Sequence, residues 1–227
     1  RDVMVMEHGY HGHTTGTMDV SPYKFRQPHG GGAPAWVHES VQPDVYRGPI
    51  RSPDAGPQYA ALVAAQIAQL ERRGVALAGY LCECLPSVGG QLLLPDGFLP
   101  EVYRAIRAHG GVCIADDVQT ALGRTGSHFF GFQLANAIPD ILVLGKPLGG
   151  GYPLGAVVTT KAIAESFARM PEFFSTFGGN SVACAAGIAV LDALEHDRLQ
   201  QSALRTGERS EEHTSELQSP CNLVCRL

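Results

Sequence analysis

Apolar residues along this chain fall into short unbroken runs, separated by longer stretches with helical spacing. Val75–Leu81, Val112–Ala115, Ile141–Leu144 and Gly155–Val158 are aliphatic without alternation. Runs of this kind predict strands buried on both faces of a helix-covered sheet. The chain also opens straight into a strand-like run, Val3-Met4-Val5-Met6. Tyr59, Val63, Ile67 and Leu70 recur at helical spacing, with Gly74 after Arg72-Arg73 as the C-terminal cap. Leu99, Val102, Tyr103 and Ile106 repeat the helical pattern up to Gly110-Gly111. From Val182 to Leu194 nearly every residue is apolar or small, which predicts a helix buried on most sides. Alternating strands and helices predict an α/β domain with a mainly parallel sheet. The Pro- and Gly-rich stretch from Pro22 to Pro57 reads as a long loop, of the kind that is usually functional or disordered.

Composition narrows the class. The 227 residues suit one ordinary domain or a larger one cut short, and 44% hydrophobic with 17% charged residues is globular. A net charge of −5 with no basic block speaks against a nucleic-acid partner. No run approaches the roughly eighteen apolar residues of a membrane helix, so no membrane partner is expected and the chain reads as soluble and cytoplasmic. Six cysteines without a CxxC pair form neither a disulfide framework nor a zinc ribbon. The start at Arg1, inside a strand-like run, predicts a fragment whose own N-terminus and any targeting signal lie upstream. Residues 209–227, RSEEHTSELQSPCNLVCRL, are polar and show no helical or strand period. They resemble the translation of a common short-read sequencing adapter, a reading we favour over an ordinary flexible tail. Residues 1–208 are therefore taken as the native domain, and no metal site is built on Cys221 and Cys225.

Ligands of open α/β sheets bind beyond the carboxyl ends of the strands, so the polar residues that end the buried runs are the candidates. Glu83 ends the first run, Asp116 the second and Lys146 the third, while Tyr10-His11 follows the opening strand. Aliphatic walls at such an edge would desolvate the lysine and lower its pKa, as imine chemistry requires. Gly145-Lys146-Pro147 is not a phosphate-binding P-loop, because proline follows the lysine and the glycines come after it. A solvated lysine in a surface turn is the bland alternative. Asp116-Asp117 has no third acid nearby to complete a magnesium site. His8, His11 and His13 have no ligand-spaced Cys or acid to make a zinc site, so no metal is expected. Cys82 and Cys84 read as small core residues, and Glu83 between them points to the opposite face, where burial would demand a partner.

Five motifs in order carry a family pattern: Tyr10-His11-Gly12 with Glu83, Asp116-Asp117-Val118-Gln119-Thr120, Gly123-Arg124-Thr125-Gly126, Gly145-Lys146-Pro147, and Thr176-Phe177-Gly178-Gly179-Asn180. The set resembles the class III aminotransferases, pyridoxal-phosphate enzymes of fold type I, over nearly all of residues 1–208. The resemblance implies that Lys146 forms the internal aldimine and shuttles the proton. It implies that Asp116 pairs with the pyridinium nitrogen and that Gln119 lies near the ring hydroxyl. Tyr10 and Val118 would sandwich the ring, His11 would belong to the same cofactor site, and Glu83 would face a small amine or amino-acid substrate. Thr176 would reach the cofactor phosphate of a neighbouring subunit in a homodimer or larger oligomer. Asp117 stands where the family has glutamate, and Ala121-Leu122 where it has glycine and an aromatic, which touches loop geometry more than chemistry. Family members are longer: the phosphate cup would lie upstream, and the small domain with its substrate arginine downstream. Ser21-Pro22-Tyr23-Lys24-Phe25-Arg26, Tyr46-Arg47-Gly48-Pro49 and Glu83 set in Cys82-Glu83-Cys84-Leu85-Pro86-Ser87-Val88-Gly89-Gly90 resemble the phospho-lyase branch acting on phosphorylated amines such as ethanolamine phosphate. Lys24, Arg26 and Arg47 are candidate cations for the leaving group, with solvated loop charges as the bland alternative. Transamination is the family-level reading, phosphate elimination the alternative, and a cofactor-binding paralogue without catalysis the alternative of another class.

Overall fold

The computed structural model describes residues 1–170 and 172–216. Among these, six strands form one sheet in the order β2-β1-β3-β4-β5-β6. They are β1 (Asp2–Met6), β2 (Val37–Ser40), β3 (Leu77–Glu83), β4 (Val112–Asp116), β5 (Ile141–Leu144) and β6 (Ala156–Thr159). The first five run parallel, and β6 pairs antiparallel with β5. The helices are α1 (Thr15–Asp19), α2 (Pro22–Phe25), α3 (Ala55–Arg72), α4 (Phe98–Ala108), α5 (Lys161–Ala168), α6 (Ser181–His196) and α7 (Leu199–Glu216).

The helical spacing read from the sequence is the packing stripe. Tyr59, Val63 and Ile67 of α3, with Leu99, Val102 and Ile106 of α4, are at most 1% exposed and cover Met4, Met6, Tyr80 and Cys82 of the sheet. Each such side chain contributes about 1.5–3 kcal/mol on burial. Both helices end alike: Gly74 and Gly110 take φ of 75°, and the next amide returns to a carbonyl of the last turn. On the other face, Phe25 of α2 packs on Val5 and Val37.

Four expectations are corrected here. β6 is not buried on both faces, since Val157 and Val158 are 67% and 53% exposed on a strand paired only with β5. The helix from Val182 is not buried on most sides. Among its described neighbours it packs through the stripe Ala183, Gly187, Val190 and Leu194, while Val182 and Ile188 are each 60% exposed. Small residues fit a tight contact and an open face equally well, so composition did not separate the two. The stretch 22–57 is no structureless loop, for it holds α2, β2 and the first turn of α3. Residues 209–216, expected to lack helical period, continue α7 without a break. Glu and Arg propagate a helix already nucleated by packed turns without any apolar stripe. The rest of that tail, with Cys221 and Cys225, lies outside the described residues.

Candidate active site

β1, β3, β4 and β5 are parallel, so their carboxyl ends share one edge of the sheet. Glu83 and Asp116 are register partners at the ends of β3 and β4, which sets two carboxylates side by side on one face. Glu83 is 3% and Asp116 9% exposed. The segment after β1 crosses above both. The Tyr10 N–H donates to Glu83 Oε2 at 3.2 Å, and His11 Nδ1 lies 2.8 Å from Asp116 Oδ2.

Each acid is held from a second side. Ser87 donates its hydroxyl to Glu83 Oε1 at 2.7 Å, and Val118 donates its N–H to Asp116 Oδ1 at 3.1 Å, closing a turn two residues long. Burial pushes the Glu83 carboxyl above its ordinary value, against the Ser87 hydrogen bond. Asp117 is fully buried and turns away from the cluster. It accepts the Gly131 N–H at 2.8 Å and the Thr120 hydroxyl, and burial raises its carboxyl as well. The glutamate-to-aspartate departure therefore sits in a loop anchor.

Lys146 follows β5 through Gly145 and takes φ of 38°, a left-handed backbone that a side-chain-bearing residue adopts at a cost of order 1–3 kcal/mol. Its side chain is exposed, so the desolvating aliphatic walls expected of it are not present among the described residues. Val118 adjoins this turn: a Cβ built on Gly145 would touch its Cγ1 at 3.4 Å. Gln119 and Thr176 are exposed, and neither makes a side-chain hydrogen bond to another described residue. Thr176 lies far along the chain in 172–180, among Phe173, Phe174 and Phe177, which are 72%, 78% and 81% exposed. The sequence reading expected Tyr10-His11, Glu83, Asp116 and Lys146 at one edge; the structure joins Tyr10 to Glu83 and His11 to Asp116 there, and Lys146 follows the neighbouring β5.

The residues that support this edge were not foreseen. Ser21, fully buried, accepts the His11 N–H at 2.8 Å and donates to the Thr17 carbonyl at 2.6 Å, while the Tyr23 N–H returns to the Gly9 carbonyl at 3.1 Å. These bonds staple α2 to residues 9–11 and bring Lys24 Nζ 5.3 Å from the Tyr10 ring centroid and 5.5 Å from that of Tyr23. A serine directly before Pro22 was the available signal, since Ser-Pro favours turn initiation.

A buried carboxylate at the end of a central strand, a lysine just beyond the end of the next strand and an aromatic near the carboxylates suit a cationic heteroaromatic ring carrying an aldehyde. Asp116, contacted by His11 Nδ1 and by the Val118 N–H, keeps acceptor lone pairs to offer a ring N–H. The residues present thus fit pyridoxal phosphate.

Comparison with known proteins agrees with this geometry. The family model described as aminotransferase class-III matches residues 1–226. The chain is 46% identical over 214 residues to an alanine–glyoxylate aminotransferase 2-like protein of Drosophila melanogaster, covering 92% of this chain and 43% of that one. Among solved structures, it superposes on a phospholyase from Arthrobacter in complex with phosphoethanolamine with a TM-score of 0.85 and 36% identity, over 95% of this chain and 51% of that one. An amine transaminase from an uncultivated Pseudomonas species, in its PLP-bound form, gives a TM-score of 0.80 at 30% identity, over 92% and 48%. The chain spans about half the length of the relatives it matches.

Proposed function

The chain belongs to the class-III aminotransferase family, and from that premise we propose that it carries the large domain of a pyridoxal-phosphate-dependent enzyme acting on an amine or amino acid. When bound, the cofactor supplies an aldehyde and an electron sink for the bond being broken at the substrate carbon. Lys146 provides the amine that holds the cofactor and takes the substrate proton at Nζ. Asp116 keeps the ring nitrogen protonated, Tyr10 and Val118 flank the ring, and Gln119 approaches its hydroxyl. Glu83 faces the substrate. Thr176, on a segment whose exposed phenylalanines suit burial against another subunit, serves the site of a second copy, so the working form is a homodimer or larger homo-oligomer. A cytoplasmic location belongs to the same reading.

The observation that carries the proposal is the buried Asp116 carboxylate at a central strand end, beside the strand that leads into Lys146. Borohydride reduction of the full-length protein with cofactor, followed by peptide mapping, tests it. The label is expected on Lys146, and a label on Lys24 or Lys161 overturns the assignment.

A second reading is elimination of phosphate from a phosphorylated amine such as ethanolamine phosphate. Of the three cations singled out in the sequence, Arg26 is spent on Glu39 at 2.7 Å and Arg47 lies against exposed Tyr46. Lys24 rests over Tyr10 and has no carboxylate within ion-pair distance among the described residues. The likeness to a phospholyase in complex with phosphoethanolamine supports the same reading. Chemically, the proton of the amine-bearing carbon goes to Lys146 Nζ, and its electron pair forms a double bond to the next carbon. The C–O bond to phosphate breaks, and the leaving anion meets the Lys24 ammonium. Assay of free phosphate with ethanolamine phosphate decides between the two readings, and Lys24→Met should lower its release more than Arg26→Met does. A new amino acid formed from pyruvate or 2-oxoglutarate, without phosphate release, leaves transamination standing alone.

A further inference from the structure

We propose that Tyr23 is a positioning residue that sets substrate specificity: with Tyr10 it forms an aromatic corner that holds the Lys24 ammonium ready for the phosphate of a phosphorylated amine. This role rests on the reading of Lys24 as the cation for the leaving phosphate, and it assigns the tyrosine a part exerted through that lysine.

The corner is built from two sides. The Tyr10 and Tyr23 rings meet at 73° with centroids 5.7 Å apart, and Lys24 Nζ lies 5.3 Å from one centroid and 5.5 Å from the other. Both distances fall within the roughly 6 Å over which a ring face attracts a cation. Arg47 and Arg107, the other cations over aromatic rings among the described residues, each meet one ring. Neighbouring positions on a helix do not ordinarily face each other, so Lys24 reaches the Tyr23 ring by folding its long stem back. The short helix that carries both residues is fixed against residues 9–11. Ser21 is the N-cap of α2, yet its hydroxyl caps no amide of that helix; it accepts the His11 N–H at 2.8 Å and donates to the Thr17 carbonyl at 2.6 Å. A serine at this position usually caps the helix that follows, so here its hydrogen bonds place the helix instead. The Tyr23 N–H donates to the Gly9 carbonyl at 3.1 Å, and Phe25 is buried on Val5 and Val37. Tyr23 is thus held beside Tyr10 by its backbone as well as by its ring.

A ring face and a carboxylate hold a cation in different ways. Arg26 pairs with Glu39 at 2.7 Å, and to serve a phosphate it must give up a charge-assisted contact. The quadrupole of a ring attracts an ammonium without cancelling its charge, and the contact is weak enough to yield to a phosphate oxygen. Two rings leave at least one of the three ammonium N–H donors for that oxygen. An amine without phosphate gains nothing from the same ammonium. Tyr23 therefore separates phosphorylated from unphosphorylated substrates.

The test uses the full-length enzyme loaded with pyridoxal phosphate, as wild type, Tyr23→Phe, Tyr23→Leu, Lys24→Met and the Tyr23→Leu/Lys24→Met double variant. Leucine removes the ring at a position 39% exposed, whereas phenylalanine keeps the ring and drops only the hydroxyl. For phosphate release from ethanolamine phosphate, kcat/KM should fall about two- to tenfold in the Leu variant, the span of a cation–π contact from exposed to partly desolvated. The Phe variant should stay near wild type. In the Lys24→Met background the Leu substitution should cost nothing further, because both act through one ammonium. Losses that multiply in the double variant, a Phe variant as impaired as the Leu variant, or an unimpaired Leu variant each overturn the proposal. Acetic anhydride labelling, read by mass spectrometry, is the second measurement. Lys24 should react more slowly in the native wild type and Phe variant than in urea-unfolded protein, and the Leu variant should lose part of that protection. Equal reaction of Lys24 in native and unfolded wild type overturns the proposal even if the Leu variant fails to fold. A wild type that releases no phosphate sinks the phospho-lyase reading instead, and the labelling then decides by itself whether Tyr23 holds Lys24.

Discussion

Replacing Glu83 by glutamine tests whether an acid buried at the strand edge burdens the fold at neutral pH. Glu83 is 3% exposed, and burial raises its carboxyl above the ordinary value of 4.5. The native state therefore binds its proton more tightly than the unfolded chain does. Stability from this group is fully present below the ordinary value and is lost as pH rises through the raised native one. A single group contributes a slope of at most about 1.4 kcal/mol per pH unit across that window. Glutamine keeps the shape without the charge: its carbonyl accepts the Tyr10 N–H, and its amide donates to Ser87 Oγ. Alanine is the informative contrast. It leaves the Tyr10 N–H and the Ser87 hydroxyl unmet, at about 1–3 kcal/mol each. Urea unfolding of wild type and Glu83→Gln across a series of pH values reads the difference. The glutamine variant should gain on wild type steadily as pH rises from about 4.5 towards neutral, with the denaturant slope unchanged. Asp117, also raised by burial, leaves a residual slope in both proteins. Two superimposable pH profiles refute the buried-acid argument.

Gly131→Ala should destabilise the chain by about 1–3 kcal/mol, because the new methyl group collides with Asp117 Oδ1 and Thr120 Oγ1 in a packed loop anchor. An unchanged thermal midpoint would show that the anchor yields without strain. Asp116→Asn should reduce turnover by an amount on the order of several kcal/mol in the barrier while cofactor still binds, since the amide cannot hold the ring nitrogen charged. Near-normal turnover, measured alongside cofactor occupancy, would remove Asp116 from its role.

The strands most readable in the sequence are those whose environment leaves only one solution. β3, β4 and β5 are enclosed in the sheet and appear as aliphatic runs, but β2 reads Val-His-Glu-Ser. It lies at the edge of the sheet, where His38 and Glu39 find Asp2 and Arg26 as partners, so polarity there is no bar to pairing. The same logic divides the site. Glu83, Asp116 and Lys146 were readable because each ends a strand or closely follows one, and parallel topology brings such ends together. The His11 contact to Asp116 spans 105 residues and leaves no local pattern. Lys146 was expected to be desolvated, yet the described elements leave it open, because covering a strand end depends on chain that strand periodicity does not describe.

The crossing of residues 9–11 above β3 and β4 also constrains how the chain reaches its native state. β1 leaves the ribosome before the other described strands, yet it sits inside the sheet, between β2 and β3. Its following segment is tied to partners 73 and 105 residues downstream. Closing loops of that size is entropically costly and slow, though lengthening one from 73 to 105 residues adds only a few tenths of a kcal/mol. The α3–α4 layer, whose contacts are more local, can gather first. During synthesis Tyr10 and His11 must therefore wait, unpaired, until residue 116 has emerged, and a nascent chain shorter than that has no such edge to offer a ligand.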